Sequence, residues 1–220
     1  MVDEKLLNSR SFATMLKIFH ALIELIKTKN IETITVKAIT AKANISRGTF
    51  YLYFFDIDQV IQFIENFLLG EMPLMSHFYD FSSPKSFPSF PTLEECTNNA
   101  WEEAWFTYFK EYEEPLNALL GPHGDGSFYS KLKKCLMKEL NQSMQFDGFP
   151  NDIMSKYFQS IYADAFLILA TEWTQKKYND NLDARSLSAI AATIRIGSQY
   201  SFAIAKKPLL IEEEVHNFQK

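Results

Sequence analysis

The chain has 220 residues, 47% hydrophobic and 22% charged, with a net charge of −5. That is globular composition, enough for one good core or two small domains, and the net charge argues against a surface that binds nucleic acid everywhere. No apolar run approaches the roughly 18 residues of a membrane span, and the opening MVDEKLLNSR mixes acids with bases, unlike a secretory signal.

A soluble cytoplasmic protein is expected. Its 20 phenylalanines and 10 tyrosines point to a large aromatic core, an aromatic-lined pocket, or both. Cys96 and Cys135 form no metal or redox motif and read as two free thiols. Charge is unevenly spread. Residues 1–54 carry eight bases and four acids, a net +4, which leaves −9 on the remainder. A basic head on an acidic body suggests a nucleic-acid contact at one end.

The chain reads as helical almost throughout. From residue 8 or 9 to about Lys29, Phe12, Met15, Leu16, Phe19, Leu22, Ile23 and Ile26 recur at threes and fours, one face of a long helix. Thr35 can cap a second helix with Val36, Ile39 and Ala43 inward. Asn44 stands where a tight turn needs positive φ. Ser46 can cap a third helix through Phe54, and Asp56 a fourth, with Val60, Ile61, Phe63, Ile64, Phe67 and Leu68 as its apolar face. Gly70 and Pro73 end or kink it.

Residues 80–92 are rich in Ser and Pro and read as a connector. Thr92 and Glu95 form a capping box for a helix to about Tyr112. A short helix over 115–120 and a GPHGDG turn at 121–126 come next. Helices follow over about 127–145, 151–178 and 183–206. No credible strand or internal repeat is found.

Helices two and three, each about eight to nine residues and joined by roughly three, have helix-turn-helix spacing. Ile39, Ala43, Ile45, Phe50 and Phe54 would form the small core behind them. Ser46, Arg47, Thr49, Tyr51, Leu52 and Tyr53 would then lie outward. Arg47 can reach guanine O6 and N7 or a phosphate, and Thr49 a thymine methyl. Gly48 leaves room for close backbone approach. Tyr51 and Tyr53 can donate to phosphate. Lys37 and Lys42 are expected as further phosphate contacts from charge alone.

The segment ITVKAITAKANISRGTFYLYFFDIDQVI, 34–61, resembles the DNA-binding segment of the TetR family of bacterial transcriptional regulators. Thr35, Val36, Ile39, Ala43, Ser46, Gly48, Thr49, Phe50, Tyr51, Tyr53, Phe54 and Asp56 carry the likeness. Thr40 departs from the family Ala, Asn44 from its Gly, and Ile57 from a Lys that contacts phosphate. The last change predicts a salt slope lower by about one. Val36 is apolar where some members place a base-reading residue. The resemblance implies that Thr35 and Tyr51 hold phosphates, that Arg47, Gly48 and Thr49 face base edges, and that Tyr53 supports the helix or touches backbone. It implies a homodimer on a palindromic operator, and a body that dimerises and holds a small inducer.

The expected fold is therefore all-α: a three-helix DNA-binding head over 1–55 and a C-terminal helical bundle over 56–220 for dimerisation and ligand or partner binding. Residues 119–136 resemble a C-terminal variant common in regulators of low-GC Gram-positive bacteria. Phe158, Ala165, Leu169, Ile190, Ile194 and Gly197 are the expected dimer seam, with intrachain core as the alternative. Trp101, Trp105, Tyr108 and Phe109, with Tyr162 and Trp173, are the expected walls for a hydrophobic or aromatic effector. Glu102 is a possible partner for a cation. Plain core is the alternative there too.

His77 and His123 lack metal partners at ligand spacing, so no metal or cofactor is expected. No nucleophile elbow, zinc helix or dinucleotide fingerprint occurs, so no enzyme is expected. A regulator or interaction module whose body binds a protein partner is the other reading of the whole chain.

Overall fold

The computed structural model describes residues 10–83, 99–178 and 181–198. These are helical, with no strand among them. They divide into two compact units, 1–72 with 112–132, and 73–111 with 133–220.

In the first unit α1 (Arg10–Ile26) buries Ile18, Leu22, Ile23 and Ile26, the three-and-four stripe read from sequence. It stops three residues short of Lys29, because the Thr28 and Lys29 amides both turn back to the Leu25 carbonyl. Asn30 caps a 3-10 turn (Ile31–Thr33) by accepting from the Glu32 amide.

Helix α2 (Val36–Ala43) starts where the Thr35 hydroxyl accepts from the Ala38 amide at 3.2 Å. It ends on Asn44, in the left-handed region at φ 53°. Two residues on, the Ser46 hydroxyl accepts from the Thr49 amide and opens α3 (Arg47–Tyr51).

Helix α3 is shorter than its sequence suggests, with five residues rather than a run through Phe54. Its last turn tightens, with the Leu52 amide donating to the Thr49 carbonyl and the Tyr53 amide to that of Phe50. Asp56 caps α4 (Ile57–Gly70) through the Gln59 amide at 2.8 Å. Val60, Ile64 and Leu68 of α4 are fully buried, while Phe67 is partly exposed against Tyr112.

The same unit takes in α6 (Glu113–Leu120), the 121–126 turn and the start of α7 (Gly126–Phe146). Lys27 reaches Glu114 at 2.5 Å, and the Ile31 amide donates to the His123 carbonyl at 2.9 Å. Gly124 is required by close approach: a Cβ there would lie 2.0 Å from the Leu119 carbonyl oxygen.

The second unit contains a 3-10 turn (Met75–His77), α5 (Ala100–Glu111), the rest of α7, α8 (Ile153–Thr174) and a last helix, α9, described over 184–198. Asp152 caps α8 through the Ser155 amide, and the Trp173 indole donates to the Leu182 carbonyl beyond its end. The Thr92–Glu95 capping box, Cys96 and the expected last turns of α9 lie outside the described residues. Cys135 is a free thiol that burial pushes above its ordinary range. No helix among the described residues is long and apolar enough to cross a membrane.

Candidate DNA-binding face and a buried polar cluster

The face over α2 and α3 follows from how the phenylalanines are anchored. Phe50 is fully buried and Phe54 nearly so, their ring centroids 6.1 Å apart, with Ile39 and Ala43 behind them. Holding those two rings inward turns the remaining side chains of the short helix outward. Arg47, Gly48, Tyr51 and Leu52 are exposed, and Thr49 and Tyr53 half-buried. Leu52 and Phe55, 79% and 80% exposed, are the most exposed large apolar side chains described.

Ser46 works as a cap and also shares a 2.8 Å hydrogen bond with the Thr49 hydroxyl. That fixes Thr49 beside Arg47 at the helix start. Thr35 spends its acceptor on the Ala38 amide and keeps its hydroxyl proton for an external acceptor. Lys37 is exposed. Lys42 is exposed too and stands 3.9 Å from Glu24. A Cβ at Gly48 would meet nothing closer than the Ser46 hydroxyl at 3.7 Å. Ile57 is half-buried and lines a cavity of about 290 Å³ with Ile31, Ile34 and Ile61.

One buried charge in this unit was not foreseen. Glu65 faces inward on α4 and meets Lys131 at 2.6 Å. Burial raises its carboxyl above the ordinary 4.5; Lys131 opposes this and Asp125 adds to it.

In the second unit the expected aromatic stripe is inward and continuous. Trp101, Trp105 and Phe109 are fully buried and Tyr108 nearly so. Trp105 lies edge-on to Trp101 at 6.0 Å, to Tyr108 at 5.7 Å and to Phe166 at 5.9 Å. Tyr162 joins through Phe166 at 6.1 Å, and half-buried Trp173 through Phe106 at 5.9 Å. Every ring expected to face an effector is therefore in one cluster, which Phe106 and Phe166 join.

Glu102 is fully buried inside it and is held by Arg195 of α9, whose Nε donates to Oε1 at 2.6 Å. Burial works against the Arg195 charge, and Glu102 beside it more than offsets this. Burial also raises the Tyr162 hydroxyl well above its ordinary range and pushes Tyr79 up to about 12, with the Glu102 charge adding to both. Arg195 had a signal: it follows Leu187 and Ala191 at steps of four, on their inward face.

Two polar atoms in the cluster have no partner, Glu102 Oε2 and Trp105 Nε1. Each such atom costs about 1–3 kcal/mol. The other two tryptophans do donate, Trp101 to the Pro73 carbonyl and Trp173 to that of Leu182.

The expected seam residues fall in two places. Phe158 stacks on Tyr162 and packs on Met144 and Phe149. Ala165 and Leu169 are half-buried, and Ile190, Ile194 and Gly197 are exposed on α9. Beside the α8 pair, Tyr157, Ile161 and Ile168 form an exposed apolar stripe at helical spacing.

Residues 18–62 match the family described as bacterial regulatory proteins, tetR family. Among solved structures, a Clostridium perfringens protein described as a fatty acid metabolism regulator has the same fold, at 16% identity and a TM-score of 0.57. The match covers 82% of this chain and 97% of that one. A tetR-family transcriptional regulator from Streptomyces coelicolor matches at 12% identity and a TM-score of 0.52, over 95% and 99%. No curated protein matches the sequence.

Proposed function

We propose that this chain, a DNA-binding transcriptional regulator whose residues 18–62 are those of the tetR family, is an operator-specific homodimeric repressor released by a small molecule. One observation carries the DNA-reading part. Phe50 and Phe54 lock α3 so that Arg47, Gly48, Tyr51 and Leu52 are exposed together on one short helix. A recognition helix meets base edges in the major groove through such a face, while flanking hydroxyls and lysines hold phosphates. Thr35, Lys37, Lys42 and Tyr53 are assigned to the phosphate role.

The exposed apolar stripes of α8 and α9 support self-association. Ile161 and Ile168 on one helix and Ile190 and Ile194 on the next make a surface suited to a second copy. A homodimer carries two recognition helices, one for each half-site of a palindromic operator. The aromatic cluster around Glu102 supports a hydrophobic or aromatic effector. Because Arg195 and the exposed Ile190 and Ile194 share α9, an effector there would act on the helix that carries the seam. Its differential affinity for two arrangements of α9 would then set operator affinity.

The test is binding of the purified chain to duplex from around its own coding region, against random duplex, at two salt concentrations. Salt-sensitive binding to one palindromic site is expected. Arg47→Ala should remove the preference for that site, while Lys37→Ala should weaken both duplexes alike. No preference over random DNA, or no effect of Arg47→Ala, would refute the reading.

A further inference from the structure

We propose that Ser188 and Arg195 are positioning residues for self-association: their buried polar ties hold α9 so that Ile190 and Ile194 face outward, toward a second copy of this chain. The proposal rests on the dimeric reading above and names what sets the dimer surface. Three observations carry it.

The first is which side chains α9 turns inward. Leu187, Ser188, Ala191, Ala192 and Arg195 are buried, while Ile190 and Ile194 are 44% and 43% exposed. Among those five only Leu187 is large and apolar. A rotation of about 100°, the step of one residue, would bring Ser186, Ile190 and Ile194 inward. It would keep Leu187 and Ala191 and put out Ser188, Ala192 and Arg195. Apolar burial favours that exchange, since it takes two isoleucines out of water and returns a guanidinium to it. Burial alone therefore does not select the arrangement that α9 has.

The second is the set of polar ties that does select it. Asn99 Nδ2, one residue before α5, donates to Ser188 Oγ at 2.7 Å, and that hydroxyl donates onward to the Arg185 carbonyl. Arg195 Nε donates to Glu102 Oε1 at 2.6 Å. Between them the Tyr162 hydroxyl of α8 donates to the Ala191 carbonyl at 3.4 Å. The ties fall at 188, 191 and 195, over about two turns of one face, so they fix both the rotation of α9 and its height along its neighbours.

The third is how the ties penalise the turned arrangement. Glu102 is fully buried, and turning α9 would leave its carboxylate without the guanidinium. An uncompensated buried charge is far costlier than an exposed isoleucine. The pair therefore acts against the alternative packing, and the outward isoleucines are its consequence. A surface suited to a second copy is kept on a helix whose apolar residues would otherwise turn into their own core.

The experiment compares the full chain with two double variants, Glu102→Leu with Arg195→Met and Asn99→Ala with Ser188→Ala. Sedimentation equilibrium gives the dimer dissociation constant, and urea midpoints are read at a concentration where the parent is monomeric. The first double removes the penalty and leaves apolar side chains, so its monomer should unfold at the parent's midpoint or above it. Its association should weaken at least about tenfold, as expected when a seam loses even one isoleucine from each copy. Unchanged association in either folded double would overturn the proposal. So would a fall of midpoint and association together in the first double, which would make the tie an ordinary support of the fold. Failure of both doubles to fold would overturn it for the same reason. A parent that stays monomeric at every concentration would sink the dimeric reading itself, whereas a dimeric parent with equally dimeric variants sinks this inference alone.

Discussion

Arg195 Nε donates to Glu102 Oε1 at 2.6 Å, tying α9 to α5 across 93 residues of sequence inside an aromatic core. Both side chains are withdrawn from water, so neither can lose its partner cheaply. Arg195→Met leaves Glu102 as an unpaired buried carboxylate and should cost about 3–5 kcal/mol. Adding Glu102→Gln should return part of that loss, because the remaining amide carries no charge. Urea midpoints of the two singles and the double decide it. Additive losses would mean that the two groups act independently.

Much of the fold was legible because its signals are local. Thr35, Asn44, Ser46 and Asp56 each announce a helix boundary through their own chemistry, and each boundary is where they put it. The length of α3 was not, because its last turn is drawn tight as Phe50 and Phe54 pack inward, a tertiary effect with no capping residue to announce it. The inward set Tyr162 and Phe166 and the outward set Tyr157, Ile161 and Ile168 could not be separated, since α8 is apolar on both sides and a periodic pattern needs a polar side to have a phase. The aromatic stripe was readable from spacing. Its ionic partner was not, because no period links Glu102 to Arg195.

Glu65 gives stability a pH dependence of definite sign. Burial raises its carboxyl above 4.5, so the native chain holds that proton more tightly than the unfolded chain. Between pH 4.5 and the raised value the native state carries more protons, and this contribution to stability falls as pH climbs through that window. Glu65→Gln removes the titration and keeps an acceptor for Lys131. Unfolding midpoints from pH 4 to 7 should therefore rise for the variant relative to the parent as pH rises. Parallel curves would show that Glu65 titrates as it does in the unfolded chain.

The exposed stripe on α8 makes a separable prediction about assembly. Ile161 is 68% exposed in the single chain, so Ile161→Glu should leave its helicity and thermal unfolding of the monomer nearly unchanged. In a dimer seam each copy would bury a carboxylate, which should weaken association at least about a hundredfold. Sedimentation equilibrium reads this directly. A variant that remains dimeric at the parent's concentration range would place the seam elsewhere.

Gly48 separates a role in folding from a role in recognition. A Cβ there would meet only the Ser46 hydroxyl, at an ordinary 3.7 Å, so the chain itself has space for alanine. Glycine inside α3 carries the greater entropic cost on folding, and Gly48→Ala should raise stability by up to about 1 kcal/mol. The added methyl would project from an exposed position beside Arg47, the face proposed above to meet the duplex. Operator affinity should therefore fall, by about tenfold or more, while stability rises. Opposite movement of the two quantities is the signature of a glycine kept for its ligand. If both rise, or if affinity holds, the duplex approaches another part of the face, and Gly48 serves only the local backbone.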